Sequence, residues 1–236
     1  MRRKDGRLLH RFRDYEAAVL GFLDDYAYLI WGLLELYDAT FKQKYLDLAV
    51  ELNSDMLTHF WDVDFGGLFI SPDDGEELLI RQKESYDGAL PSGNSVAFLN
   101  LLRLSRLTND PGLEEKASEL MNTFSKSISQ LPSAHTQFLI GLDFILGPTY
   151  EVVIKGDPDS VDTKEMINAL RKSFLPRKVV LLNPKKMPKE DSLILPDPSR
   201  QQASEHDKPI AYVCVNYSCQ KPTSSVDEML RMLGKK

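Results

Sequence analysis

The chain has 236 residues, a mass of 26.8 kDa and 42% hydrophobic residues, ample for one large domain or two modest ones. A formal net charge of -6 and a pI near 5.3 argue against nucleic acid as partner, because phosphate binding rests on clustered Lys and Arg. No apolar run approaches the roughly 20 residues that span a bilayer, the basic start at Arg2-Arg3-Lys4 lacks the apolar core of a signal peptide, and two cysteines give no disulfide framework, so a soluble protein of a reducing cytoplasm is expected.

The first predicted helix, 22–37, is apolar on nearly every side despite Asp24, Asp25 and Glu35, the pattern of a helix buried all round. The next, 42–60, is amphipathic: Leu46, Ala49, Val50, Asn53, Leu57 and Phe60 recur at helical spacing, opposite Lys44, Asp47, Glu51 and Asp55. It reads as an outer helix covering an inner one. Gly66-Gly67-Leu68-Phe69-Ile70 and Leu78-Leu79-Ile80-Arg81 flank Pro72-Asp73-Asp74-Gly75, which predicts a short hairpin. The segment Asp87-Gly88-Ala89-Leu90-Pro91-Ser92-Gly93-Asn94-Ser95 then leads into an apolar helix over 95–107, with Ser92 or Asn94 as its cap. Small, turn-forming residues at such a junction let backbone approach a ligand or another element closely, as at the rim of a pocket. Asn109-Asp110-Pro111 closes this helix and starts one over 113–128. A fifth, 133–146, stops at Gly147-Pro148.

Beyond residue 147 the period becomes strand-like. Tyr150-Glu151-Val152-Val153-Ile154 and Lys178-Val179-Val180-Leu181-Leu182 flank a helix over 163–174, a right-handed βαβ candidate. A proline-rich loop occupies 183–209, and a strand over 210–215 and a short helix over 226–233 close the chain. The expected division is 1–147, helical, and 148–236, a small α/β subdomain.

Gly21-Phe22-Leu23-Asp24-Asp25-Tyr26-Ala27, Leu33-Leu34-Glu35-Leu36-Tyr37, Phe60-Trp61-Asp62 with Gly66-Gly67, the segment from Asp87, and Ala211-Tyr212-Val213-Cys214 with Cys219-Gln220-Lys221-Pro222 together resemble the YyaL / spermatogenesis-associated protein 20 family. The motifs span almost the whole chain and are specific in combination. The resemblance implies a mainly α fold: part of an (α/α)6 toroid of helical hairpins, similar to N-acylglucosamine 2-epimerases and six-hairpin glycosidases. Family members are about three times longer and begin with a thioredoxin-like domain, so this chain corresponds to their C-terminal part. Where the family tends to have Arg-Asp-Gly, this chain has Arg13-Asp14-Tyr15.

A sugar pocket in such a toroid assigns candidate roles. Asp24, Asp25 and Asp87 are the candidate catalytic carboxylates, since paired acids near a sugar do general acid/base work; equally, Asp24 and Asp25 at a helix start cap it and complement its dipole. Arg13, Asp14, Tyr26, Trp61, Ser92 and Asn94 are candidate substrate-binding residues, with Phe65 and Tyr86 as further stacking faces, although core packing explains the aromatics as well. Ser92 is not a nucleophile, because no Gly-x-Ser-x-Gly elbow surrounds it. Cys214 and Cys219 lack the spacing of a zinc site or a two-residue redox motif and read as buried thiols. His10, His59 and His135 stand alone in sequence. No metal and no cofactor is expected.

Two readings follow. One is a carbohydrate pocket of epimerase or glycoside hydrolase type, inactive without the rest of the toroid. The other is a non-catalytic interaction module that docks on the missing half, supplied by a separate chain or by a second copy. No nucleic acid or membrane partner is expected in either.

Overall fold

A hairpin that periodicity does not reveal lies near the N-terminus, where β1 (Leu9–Arg13) pairs antiparallel with β2 (Glu16–Leu20). Seven of its ten strand residues are exposed and none is buried, so the apolar alternation that betrays a half-buried strand is missing. Asp14 and Tyr15 at its tip have φ of 52° and 63°, the turn form that matches strand twist. Tyr15 thus stands where a glycine carries less strain.

The structure, a computed structural model, describes residues 1–183, 208–215 and 218–235 and is mainly α. It divides into two units, one of Met1–Leu104 with Pro111–Leu142, the other of Ser105–Asp110 with Asp143–Lys236. In the first unit α1 (Leu23–Thr40), α2 (Gln43–Phe60) and α4 (Pro111–Gln130) join the first part of α3 (Gly93–Thr108) and, after a 3-10 turn at Pro132–Ala134, the first part of α5 (Thr136–Leu146).

Helix α1 buries Leu23, Tyr26, Ala27, Ile30, Leu33, Leu34 and Tyr37. Each large side chain among them contributes on the order of 1.5–3 kcal/mol by leaving water. The expectation of a helix covered on every side is corrected on the opposite face. Leu29 and Leu36 are 40% and 45% exposed, and a Cβ at Gly32 would meet nothing within 4 Å. The buried face of α2 holds Leu46, Ala49, Asn53 and Phe60 as read in sequence and extends to Leu52 and Met56, whereas Val50 is 39% exposed. On α3, the Asn100 amide donates to Ala27 O at 2.8 Å and ties that helix to α1. Phe98 stacks on Phe138, centroids 5.0 Å apart, where α3 meets α5.

The hairpin expected at 66–81 is absent: the described residues there form no strand, only an isolated bridge between Trp61 and Leu68. Gly66 and Gly67 have φ of 69° and 78°, which breaks an extended run. Leu78, Leu79 and Ile80 are 47%, 105% and 77% exposed, so the second predicted strand has no face to bury. The backbone groups of Leu68 are satisfied by a side chain instead of a neighbouring strand.

In the second unit the strand pattern holds. A four-stranded sheet has the order β4-β3-β5-β6, with β3 (Tyr150–Lys155) parallel to β4 (Lys178–Asn183) and antiparallel to β5 (Ile210–Val215), which pairs with the two-residue β6 (Ser218–Cys219). Helix α6 (Val161–Lys172) is capped by Ser160, whose Oγ accepts from Thr163 N at 3.2 Å. The final helix α7 (Val226–Met232) is capped by Ser225 in the same way. Val152, Ile154, Val213 and Met229 are fully buried. Arg106 and Glu151 form an ion pair at 3.1 Å with side chains only 7% exposed. Most of the proline-rich loop expected over 183–209 lies outside the described residues.

The cysteines differ from expectation too. Cys214 and Cys219 are not thiols but a disulfide, formed between residues that face each other across β5 and β6. Their spacing fits no helical or metal pattern because the hairpin, not the sequence interval, brings them together. The thiol argument for a reducing compartment therefore no longer stands. Among the described residues no helix is long and apolar enough to cross a membrane.

Candidate functional site

The starts of α1, α3 and α5 are tied together by the segment 82–92, and most of the candidate polar residues lie there. Asn94, fully buried, accepts from Leu68 N at 2.9 Å and donates to Leu68 O at 2.9 Å and Glu84 O at 2.8 Å. One amide thus stands in for a strand partner, which is why the predicted hairpin does not form. Ser92 is the cap of α3: its Oγ accepts from Ser95 N at 3.1 Å and lies 2.8 Å from Ser95 Oγ. Asp87 is half-buried and uses both oxygens, accepting from Ser92 N at 2.9 Å and from Gln137 N, in the first turn of α5, at 2.7 Å. Its own N–H donates to Ala134 O at 2.8 Å. A carboxylate facing two helix starts is stabilised by their unpaired N–H groups.

Asp24 and Asp25 sit side by side in the first turn of α1 and have different surroundings. Asp25 accepts from Phe22 N at 2.8 Å, half of a capping box, and from His10 Nδ1 at 2.9 Å. Asp24 lies against Gly93, where an added Cβ would come 2.4 Å from Asp24 Oδ1 and 2.7 Å from Leu23 Cγ. Only glycine lets the two helices approach this closely. Partial burial, then the charges of Asp25 and Glu84, push the Asp24 carboxyl above its usual range, against the Gly93 N–H, which favours ionisation. Tyr28 completes this corner, donating to Pro91 O at 2.8 Å. Burial and the charges of Asp24 and Asp87 push its phenol up.

The remaining candidates lie elsewhere. Tyr26 is fully buried, its hydroxyl accepting from Arg7 Nε at 3.1 Å and Leu8 N at 3.0 Å and its ring 5.3 Å from Phe60. Trp61 ends α2 with Lys116 Nζ 4.3 Å above its ring. Arg13 and Asp14 pair at 3.3 Å on the exposed hairpin tip. Phe65 and Tyr86 are 79% and 56% exposed. The structure thus gathers Asp24, Asp87, Ser92 and Asn94 around the start of α3, and leaves Arg13 and Asp14 on a separate projection.

Sequence reasoning missed the company kept by the histidines. His135 Nδ1 is 2.9 Å from Leu131 O, and its Nε2 is 3.2 Å from Ser85 Oγ. His59 Nδ1 is 2.8 Å from Asp73 Oδ1 and 3.8 Å from Asp74 Oδ1. These three groups lie within 4.8 Å of one another, close enough to share a cation. Arg7, however, pairs with Asp74 Oδ2 at 2.6 Å and supplies positive charge already. The contacts of His59 with Asp73 and Asp74 and of His135 with Ser85 join residues 14 to 50 positions apart, so spacing carries no signal of them. Another ion pair, Lys83 with Asp62 at 2.7 Å, holds the Asp62 carboxyl below its usual range.

No family model matches the chain. It is 34% identical over 214 residues to spermatogenesis-associated protein 20 of Rattus norvegicus, the match covering 90% of this chain and 27% of the relative. Spermatogenesis-associated protein 20 of Homo sapiens matches equally, at 34% over 214 residues. An uncharacterized protein of Caenorhabditis elegans is 32% identical over 218 residues, 92% of this chain and 29% of its own length. The chain therefore spans less than a third of the length of these relatives.

Proposed function

This chain belongs to the spermatogenesis-associated protein 20 family, and we propose that it is a docking portion of a larger helical assembly. In this reading its partner is the helical remainder that the relatives carry outside the matched region, and the two together close a toroid. The observation that carries the proposal is the open face of α1. Leu29, Gly32 and Leu36 lie at helical spacing on one side of a helix whose opposite face is buried, with the two leucines 40% and 45% exposed. An apolar helix covered on one side only is what a bundle interrupted by removal of its next helix leaves behind.

The carbohydrate reading follows as a second step. Asp24, with its raised pKa, beside Glu84, Tyr28 and Asp87 forms a polar corner that supplies one wall of a sugar pocket. The partner helices supply the other. Chemistry of epimerase or glycosidase type requires both, because Asp25, Asp87 and Asn94 are already engaged with backbone groups of the chain.

The test mixes the purified chain with the remaining part of the rat relative and measures mass by light scattering. A one-to-one complex that the double variant Leu29→Asp, Leu36→Asp abolishes, with its own helicity unchanged, is the expected outcome. Both side chains are exposed, so the variant retains the fold. Complex formation unaffected by the two aspartates, or no complex at all, would refute the docking reading. A dimer of the chain alone, broken by the same substitutions, would assign the face to a second copy.

A further inference from the structure

The disulfide of the second unit serves neither docking nor the polar corner, and its surroundings assign it a role. Cys214 is 4% exposed, whereas Cys219 on the two-residue edge strand is exposed. The hairpin around them is held in register by its backbone. Gln220 N donates to Val213 O at 2.9 Å, and Ala211 and Thr223 exchange hydrogen bonds of 2.8 and 3.0 Å. Further along, the Thr223 hydroxyl donates to Glu228 at 2.6 Å and Ser225 caps α7. Breaking the S–S bond therefore leaves the strands paired and the two sulfurs facing each other.

The bond also contributes little as a staple, because it closes an interval of only five residues. A cross-link restricts the unfolded chain least when the loop it closes is shortest. A bond that is not needed for register, adds little to stability and has one of its two cysteines exposed is suited to being opened and closed.

We propose that Cys214–Cys219 is a thiol–disulfide exchange site whose substrate is a dithiol. One thiolate of the dithiol attacks Sγ of Cys219, forming a mixed disulfide, and Sγ of Cys214 departs as a thiolate that takes a proton from water. The second thiol of the reductant, deprotonated in turn, attacks its own sulfur in the mixed disulfide. This closes a cyclic disulfide and releases Cys219, which is protonated as the thiol. Two electrons and two protons pass to the protein, and the dithiol is oxidised; with an oxidised dithiol as substrate the same steps run backwards.

Dithiothreitol is the probe. The native chain is treated with it, quenched with N-ethylmaleimide and weighed by mass spectrometry, with circular dichroism recorded in parallel. Two maleimides should appear together, at a rate within about tenfold of that in denaturant, with the spectrum unchanged and the disulfide restored by oxidised dithiothreitol. In single variants, Cys214→Ser should form a mixed disulfide with oxidised glutathione at least about tenfold faster than Cys219→Ser, because only Cys219 is accessible. Reduction that occurs only in denaturant, loss of the folded spectrum on reduction, failure to reoxidise, or equal rates for the two variants would overturn the proposal.

Discussion

The rim at the start of α3 and the outer face of α1 lie in the same helical unit and make opposite use of their side chains. At the rim, residues with the chemistry of a catalytic site, Asp87, Ser92 and Asn94, spend their hydrogen bonds on backbone groups of the chain itself. On α1, side chains with no chemistry at all, Leu29 and Leu36, remain 40% and 45% exposed. A polar motif can thus be architecture, while the surface proposed for docking is a bland apolar stripe. Whether a group's bonding capacity is already satisfied separates the two cases better than residue type does.

That comparison can be broken most severely at Asn94. Asn94→Ala leaves the buried N–H and C=O of Leu68 and the carbonyl of Glu84 without this partner, and should cost about 2–4 kcal/mol in urea denaturation. A loss below about 0.5 kcal/mol would mean that the rim does not depend on its polar residues, leaving them free for a ligand. Gly93→Ala comes next. Its methyl meets Asp24 Oδ1 and Leu23 Cγ, so about 1–3 kcal/mol should be lost, and part of it regained in combination with Asp24→Ala. Full additivity of the two would deny the close approach of α1 and α3.

Tyr15→Gly sharpens the contrast from outside both regions. Relief of a positive φ at the exposed hairpin tip should raise stability by about 0.5–1 kcal/mol without affecting docking. The smallest effect is expected for Asp24→Asn. With its pKa raised by burial and by neighbouring carboxylates, Asp24 supports the fold most fully below the usual carboxylate range. That support is lost as pH rises through the raised value. The Asn variant should therefore flatten stability against pH above about 4 and gain no more than about 0.3 kcal/mol at pH 7, since solvent screens an exposed side chain. A clear loss at neutral pH would mean that the ionised carboxylate is needed.

Sequence patterning located α2 and the strands β3, β4 and β5 well, because those elements have one or two faces that water or core defines, but not the two-residue β6. The capping serine of α3 was legible as one of two alternatives for the same reason: its role is local. The irregular segment between α2 and α3 was not legible. It is held by Asn94 and by Asp87, whose partners lie 26 and 50 residues away, and a hydrophobic run at Leu78-Leu79-Ile80 imitates a strand without being buried as one. The disulfide was equally hidden, since a spacing of five gains meaning only once β5 and β6 are folded against each other. The open face of α1 was not legible, because a largely apolar helix has the same sequence pattern whether or not every face of it is covered.

The most direct measurement of the central claim is hydrogen–deuterium exchange along the chain, alone and mixed with the remaining part of the rat relative. If α1 is the docking face, its backbone amides, Leu23–Thr40, become slower to exchange in the mixture, while those of 87–95 are protected to the same extent with or without partner. Slowed exchange confined to 87–95, with α1 unchanged, would contradict the docking claim and make the rim, not the helix face, the surface that meets other molecules.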